Sequence, residues 1–105
     1  MNAPTDWEPC IQRLRALSVD LLDQARAGAW ETVTEREQER RAVLEELFRQ
    51  PVPEAVAPQF AEAVRDTLAS DAEAWKLARG EMDRLGDALK ALNQGRRALS
   101  AYQDA

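Results

Sequence analysis

A chain of 105 residues with 14 basic and 19 acidic side chains is short enough for one domain, spanning 1–105. Its net negative charge weighs against nucleic acid as a partner, because a phosphate-binding surface needs Lys and Arg clustered without interleaved acids. With no histidine and a single cysteine it can build neither a zinc site nor an internal disulfide, and no cofactor is expected.

Ala, Leu, Glu and Arg dominate and β-branched residues are few, so an all-α fold is expected, with no strand. Thr5 or Asp6 can cap a first helix; with Asp6 as the cap, Pro9 falls inside the first turn, where its missing N–H is tolerated. Trp7, Ile11, Leu14, Ser18, Leu21 and Ala25 form one seam, widened by Cys10, Leu17 and Leu22. Cys10 reads as a small packing residue, since no base stands near it to activate the thiol. Gly28 is a left-handed stop, and the short turn Ala27–Ala29 dictates an antiparallel hairpin.

The second helix starts near Trp30 and runs to Arg49 or Gln50, where Pro51 and Pro53 end it. Its middle, Glu35–Arg41, holds no apolar residue. It reads as a solvated face with i,i+4 pairs such as Glu37–Arg41; the alternative is a polar contact inside the bundle that sets its register. A short third helix, from Ala55 or Pro58 to Ala69, shows Phe60, Val64 and Leu68 every fourth residue. Ser70-Asp71-Ala72-Glu73 has the form of a capping box and marks a bend or break before a long fourth helix.

That fourth helix carries Trp75, Ala78, Met82, Leu85, Leu89, Leu92 and Leu99 three and four residues apart, an a/d seam of roughly 37 Å interrupted by Arg96. The seam is expected to share one core with the first two helices, with Leu85 buried in it. A second stripe of mostly small residues lies beside the seam: Leu77, Arg84, Ala88, Ala91, Gly95, Ala98 and Tyr102. It either packs in the bundle or forms a docking groove. Asn93-Gln94-Gly95 is the expected stop or hinge, which makes Arg96–Tyr102 a separable end that covers the groove, touches a partner, or closes the bundle. The chain shows no leader-like N-terminus and no run of eighteen apolar residues, so an intracellular protein is expected, without membrane insertion.

Three stretches carry a family resemblance. Gly28-Ala29-Trp30-Glu31 opens the second helix with a G-x-W pattern. Glu35–Arg41 leads into Leu44-Glu45-Glu46-Leu47-Phe48 and a proline turn. Gly95-Arg96-Arg97-Ala98-Leu99-Ser100-Ala101-Tyr102 closes the chain on G-R-x-A-x-x-A-Y. With these features the sequence resembles the FliT family of flagellar export chaperones. The resemblance implies a small antiparallel helical bundle of three to four helices with a long C-terminal helix. It also implies a cytoplasmic, non-enzymatic chaperone that binds the flagellar filament-cap protein before type III export. Implied further partners are the export ATPase complex or export gate and, in some bacteria, the master flagellar transcriptional regulator. In longer relatives a segment beyond the tyrosine folds over the binding surface as an autoinhibitory cover. Carried over by position, the resemblance marks Val64, Leu68 and Tyr102 as partner-binding, and the small-residue stripe adds Ala88, Ala91, Gly95 and Ala98.

Two other classes compete. One is a self-associating helical adaptor without an export client. The other is an all-α enzyme of the chorismate mutase type, which Val19-Asp20-Leu21-Leu22 superficially resembles. Such a site needs several Arg and Lys side chains converging on a dicarboxylate, and the only lysines are Lys76 and Lys90.

Overall fold

The computed structural model describes residues 6–103 and contains three helices: α1 (Trp7–Arg26), α2 (Trp30–Phe48) and α3 (Ala57–Gln103). The fold is all-α, as expected, with no strand among the described residues. The chain divides into two compact units, Met1–Trp75 and Lys76–Ala105.

Local chemistry explains each helix end. Asp6 holds the N-cap position in extended backbone, but its side chain makes no capping hydrogen bond. Thr5, the alternative cap, lies outside the described residues. Pro9 sits in the first turn, where no intrahelical partner awaits its nitrogen. At the other end Gly28 adopts φ 74°, the left-handed conformation that favours glycine. Its N–H donates to Ala25 O at 3.1 Å and the Ala29 N–H to Gln24 O at 2.9 Å, which satisfies two of the last carbonyls of α1. Helix α2 stops at Phe48 ahead of Pro51 and Pro53, and the Val56 N–H donates to Pro53 O before α3 begins.

The first unit has one continuous core. Trp7, Ile11 and Leu14 of α1 pack with Leu47 of α2 and with Phe60 and Ala63 of α3. The rings of Trp7 and Phe48 each stand edge-on to Phe60, with centroids 5.6 and 5.7 Å away. Cys10 lies half-buried against this cluster, in the packing role its sequence context indicates. Cys10→Ser is therefore expected to cost at most about 1 kcal/mol in a urea melt, the penalty of a partly buried hydroxyl.

The face that α3 buries differs from the expected one. The stripe Phe60, Val64, Leu68 does not enter the core as a unit: Leu68 is 63% exposed. The buried residues are Phe60, Ala63, Thr67, Ser70 and Ala74, again three and four apart. Small side chains at four of these five positions let α3 lie close against α1, and such residues do not register on a count of large apolar ones. The expected break at Ser70–Glu73 is absent, because both polar side chains at its head have tertiary partners. The Ser70 hydroxyl donates to Ser18 O at 2.9 Å, and Asp71 accepts from Arg40 at 2.5 Å.

Those contacts belong to a buried polar cluster. Arg40, 4% exposed, donates to the Ser18 hydroxyl at 3.3 Å. Thr67 donates to Ala63 O at 2.9 Å, so its oxygen is the acceptor of the 3.2 Å bond with Ser18. The chain Arg40, Ser18, Thr67, Ala63 O thus runs in one direction with both hydroxyl protons used. The polar Glu35–Arg41 stretch combines both sequence readings. Arg40 makes the internal polar contact, while Glu37 and Arg41 pair at 2.6 Å on the outside.

The Trp75–Leu99 seam is helical as expected but is not core. Trp75 and Met82 are 68% and 65% exposed, and Leu85, Leu89, Leu92 and Leu99 are 58–59% exposed. The core is closed by the α3 segment that directly follows the proline turn, so helices α1 and α2 already have their third partner in Phe60–Ala74. Leu85→Ala, the natural test of a buried seam, is accordingly expected to change the stability of the dilute chain by less than about 1 kcal/mol. A loss typical of a buried leucine would restore the seam to the core. The helix also passes through Asn93–Gly95 without stopping. A glycine costs a helix roughly 1 kcal/mol relative to alanine, and the surrounding Ala, Leu and Arg residues outweigh one such position.

Candidate functional site

No group of three or more His, Cys, Asp or Glu is placed to hold a metal among the described residues. No described helix is long and apolar enough to cross a membrane. An ion pair spans the α1–α2 hairpin, Arg36 Nε donating to Asp20 at 2.6 Å. That guanidinium, with the Gln24 amide at 3.3 Å, holds the Asp20 carboxyl below the usual carboxylate range and raises Arg36 in turn. Both side chains are partly solvated, and the pair ties the two helices together rather than facing a cleft.

What the molecule offers instead is exposed apolar surface, in each unit separately. In the first unit a groove of about 280 Å³ opens between α2 and α3. Leu44, Phe48, Val64 and Leu68 supply its apolar lining, and Glu37, Arg41 and Asp71 stand among its polar ones. Phe48 and Leu68 are each 63% exposed there. The four-residue spacing of Val64 and Leu68, which fails as a core stripe, places both on this groove. Phe48 and Leu44 were legible only as apolar positions of the second helix; nothing in one sequence shows that they face Val64 and Leu68. A second groove, about 400 Å³, lies between α1 and α3, where Val19, Leu22 and Ala69 are joined by Arg15 and Asp66. The sequence reading missed it, because Val19 falls outside the apolar seam of α1.

In the second unit, Ala88, Ala91, Gly95, Ala98 and Tyr102 are all exposed along the helix, Tyr102 by 83%. The three-and-four spacing of this stripe is in phase with the buried stripe Phe60–Ala74, so the same heptad positions are small in both units. The neighbouring leucine seam adds large apolar side chains to the same helix. Such surfaces accept another helix: small residues set a close approach, and leucines spaced by three and four act as anchors.

A model of the family described as flagellar protein FliT matches residues 8–104. No curated protein and no solved structure matches the chain. The match runs over nearly the whole sequence and takes in the α1–α2 hairpin, the α2–α3 groove and the stripe ending at Tyr102. On that extent of agreement, this protein belongs to the FliT family of flagellar proteins.

Proposed function

We propose that the protein is a flagellar export chaperone, residues 1–105 acting as one chaperone domain in the cytoplasm. It holds the filament-cap protein through an aggregation-prone helical segment and delivers it to the export ATPase complex or export gate. The observation that supports this reading is the family match over residues 8–104, taken with apolar surface left open on both units. A carrier of this kind needs grooves for the i, i+3 and i+4 anchors of an amphipathic helix and a charged exterior that keeps it in solution. The α2–α3 groove with Val64 and Leu68 is one docking surface. The stripe Ala88, Ala91, Gly95, Ala98 and Tyr102 is the other.

Titration calorimetry with a C-terminal fragment of the cap protein tests it. Tyr102→Ala is expected to weaken binding by about 1 kcal/mol or more, as for an aromatic contact, while the melting temperature stays put because the ring is exposed. Leu68→Asp should weaken binding at least as much through the α2–α3 groove. A wild-type chain that binds no fragment would leave a helical adaptor without a client.

A further inference from the structure

Where α1 meets α3 in the first unit, the contact leaves a crevice on each side. Helix α2 fills one of them. Arg13 and Asp20 of α1 pair with Glu39 and Arg36 of α2, and Leu47 packs into the core from that side. Arg15, on the opposite flank of α1, pairs instead with Glu62 of α3 at 3.3 Å. The crevice on that flank is left open by the described residues. It is the groove of about 400 Å³ that holds Val19, Leu22 and Ala69, and Val19 is 64% exposed in it. Its volume falls within the roughly 300–1,000 Å³ of clefts that hold ligands.

Shape selects a helix as the occupant. Val19 and Leu22 stand three residues apart on α1, and Asp66, Ala69 and Glu73 stand three and four apart on α3, so both edges of the groove follow helix axes. A helix laid there meets α1 and α3 as α2 does on the other side, which completes a four-helix arrangement. Charge selects its chemistry. Asp66 and Glu73 have no ion pair among the described residues, and they stand on either side of Ala69, roughly 10 Å apart along α3. The arginines of the facing edge are already engaged, Arg15 by Glu62 and Arg26 by Asp23 at 3.7 Å. Arg65 falls almost opposite the buried face of α3, away from α1. The uncompensated charge at the groove is therefore negative.

We propose that the α1–α3 groove docks a basic amphipathic helix of another protein. Apolar anchors of that helix cover Val19, Leu22 and Ala69, and its lysines or arginines meet Asp66 and Glu73. The α2–α3 groove lies on the other flank of α3, so both can be filled at once. The docking does not rest on the chaperone reading, and its test needs no cap protein. The probe is a synthetic helix of leucine, alanine and lysine, titrated into the isotope-labelled full chain and followed by NMR. Shifts are expected to centre on Val19, Leu22 and Ala69. Val19→Asp, a change at an exposed position, should weaken binding about tenfold or more with the helical signal retained, whereas Leu68→Asp should leave it within about twofold. Asp66→Asn combined with Glu73→Gln should weaken it about fivefold and flatten its salt dependence. Shifts centred on Leu44 and Leu68, or on the seam from Met82 to Leu99, would overturn the proposal. Equal binding of a control helix with glutamate in place of lysine, or no binding of the lysine helix at about 1 mM, would overturn it as well.

Discussion

Leu14→Ala is expected to lower stability by about 3–5 kcal/mol, enough to leave so small a domain partly unfolded in water. Leu14 is fully buried at the centre of the cluster where α1 meets α2 and α3, packed with Trp7, Ile11, Leu47, Phe60 and Ala63. Truncation removes the transfer energy of its methyl groups and leaves a hole between rigid neighbours, so little of the loss is recovered by collapse. Urea unfolding followed by helical circular dichroism reads the effect, and Leu14→Val gives a milder step if the alanine variant is already unfolded. The contrast with Leu85→Ala matters most. The two leucines are alike as sequence, and a large loss at residue 14 beside a small one at residue 85 would locate the core in the first unit. A loss under about 1 kcal/mol at Leu14 would contradict the packing described.

The second large effect is expected at Arg40. Arg40→Ala should cost about 3 kcal/mol. It removes the donor to Ser18, leaves Asp71 without its partner and opens the space occupied by the guanidinium stem. Because the Asp71 side chain is 41% exposed, it can turn to water, which keeps the loss at the lower end of what breaking a buried ion pair costs. Arg40→Met preserves the stem and should cost less. Combining it with Asp71→Asn, which removes the orphaned charge, should bring stability to within about 1 kcal/mol of the parent chain. Should the single and double variants lose equally, the guanidinium acts through Ser18 and Thr67 rather than through Asp71. A double-mutant cycle of urea melts separates the two.

Much of the fold was already present in local sequence chemistry. The α1–α2 hairpin follows from Gly28, whose left-handed backbone almost any other residue would resist. The start of α2 at Trp30 and its end before Pro51 follow from helix-stop rules that act within a few residues. The apolar seam of α1, from Trp7 through Leu14 to Ala25, is buried as the heptad pattern requires. Val64 and Leu68, which the family resemblance marks as candidates for partner binding, both line a groove.

Other features depended on which helix met which. Two stripes on α3 compete for burial, and counting large apolar residues favours the wrong one. Phe60, Ala63, Thr67, Ser70 and Ala74 win because small side chains let α3 approach α1 and because Thr67 and Ser70 find partners on Ser18. The same contacts turn an apparent capping box at Ser70–Glu73 into the interior of a continuous helix. A serine and an acid three residues apart look alike as a cap and as a tertiary contact; only the presence of Ser18 and Arg40 opposite them decides. The leucine seam is the converse case. Heptad spacing determines that Ala78 through Leu99 lie along one face of a helix, since the 3.6-residue turn is a local property. It says nothing about whether that face is covered from within the chain, because burial is a property of the neighbours and not of the pattern. With α1 and α2 already matched to Phe60–Ala74, the seam stays exposed to whatever binds it.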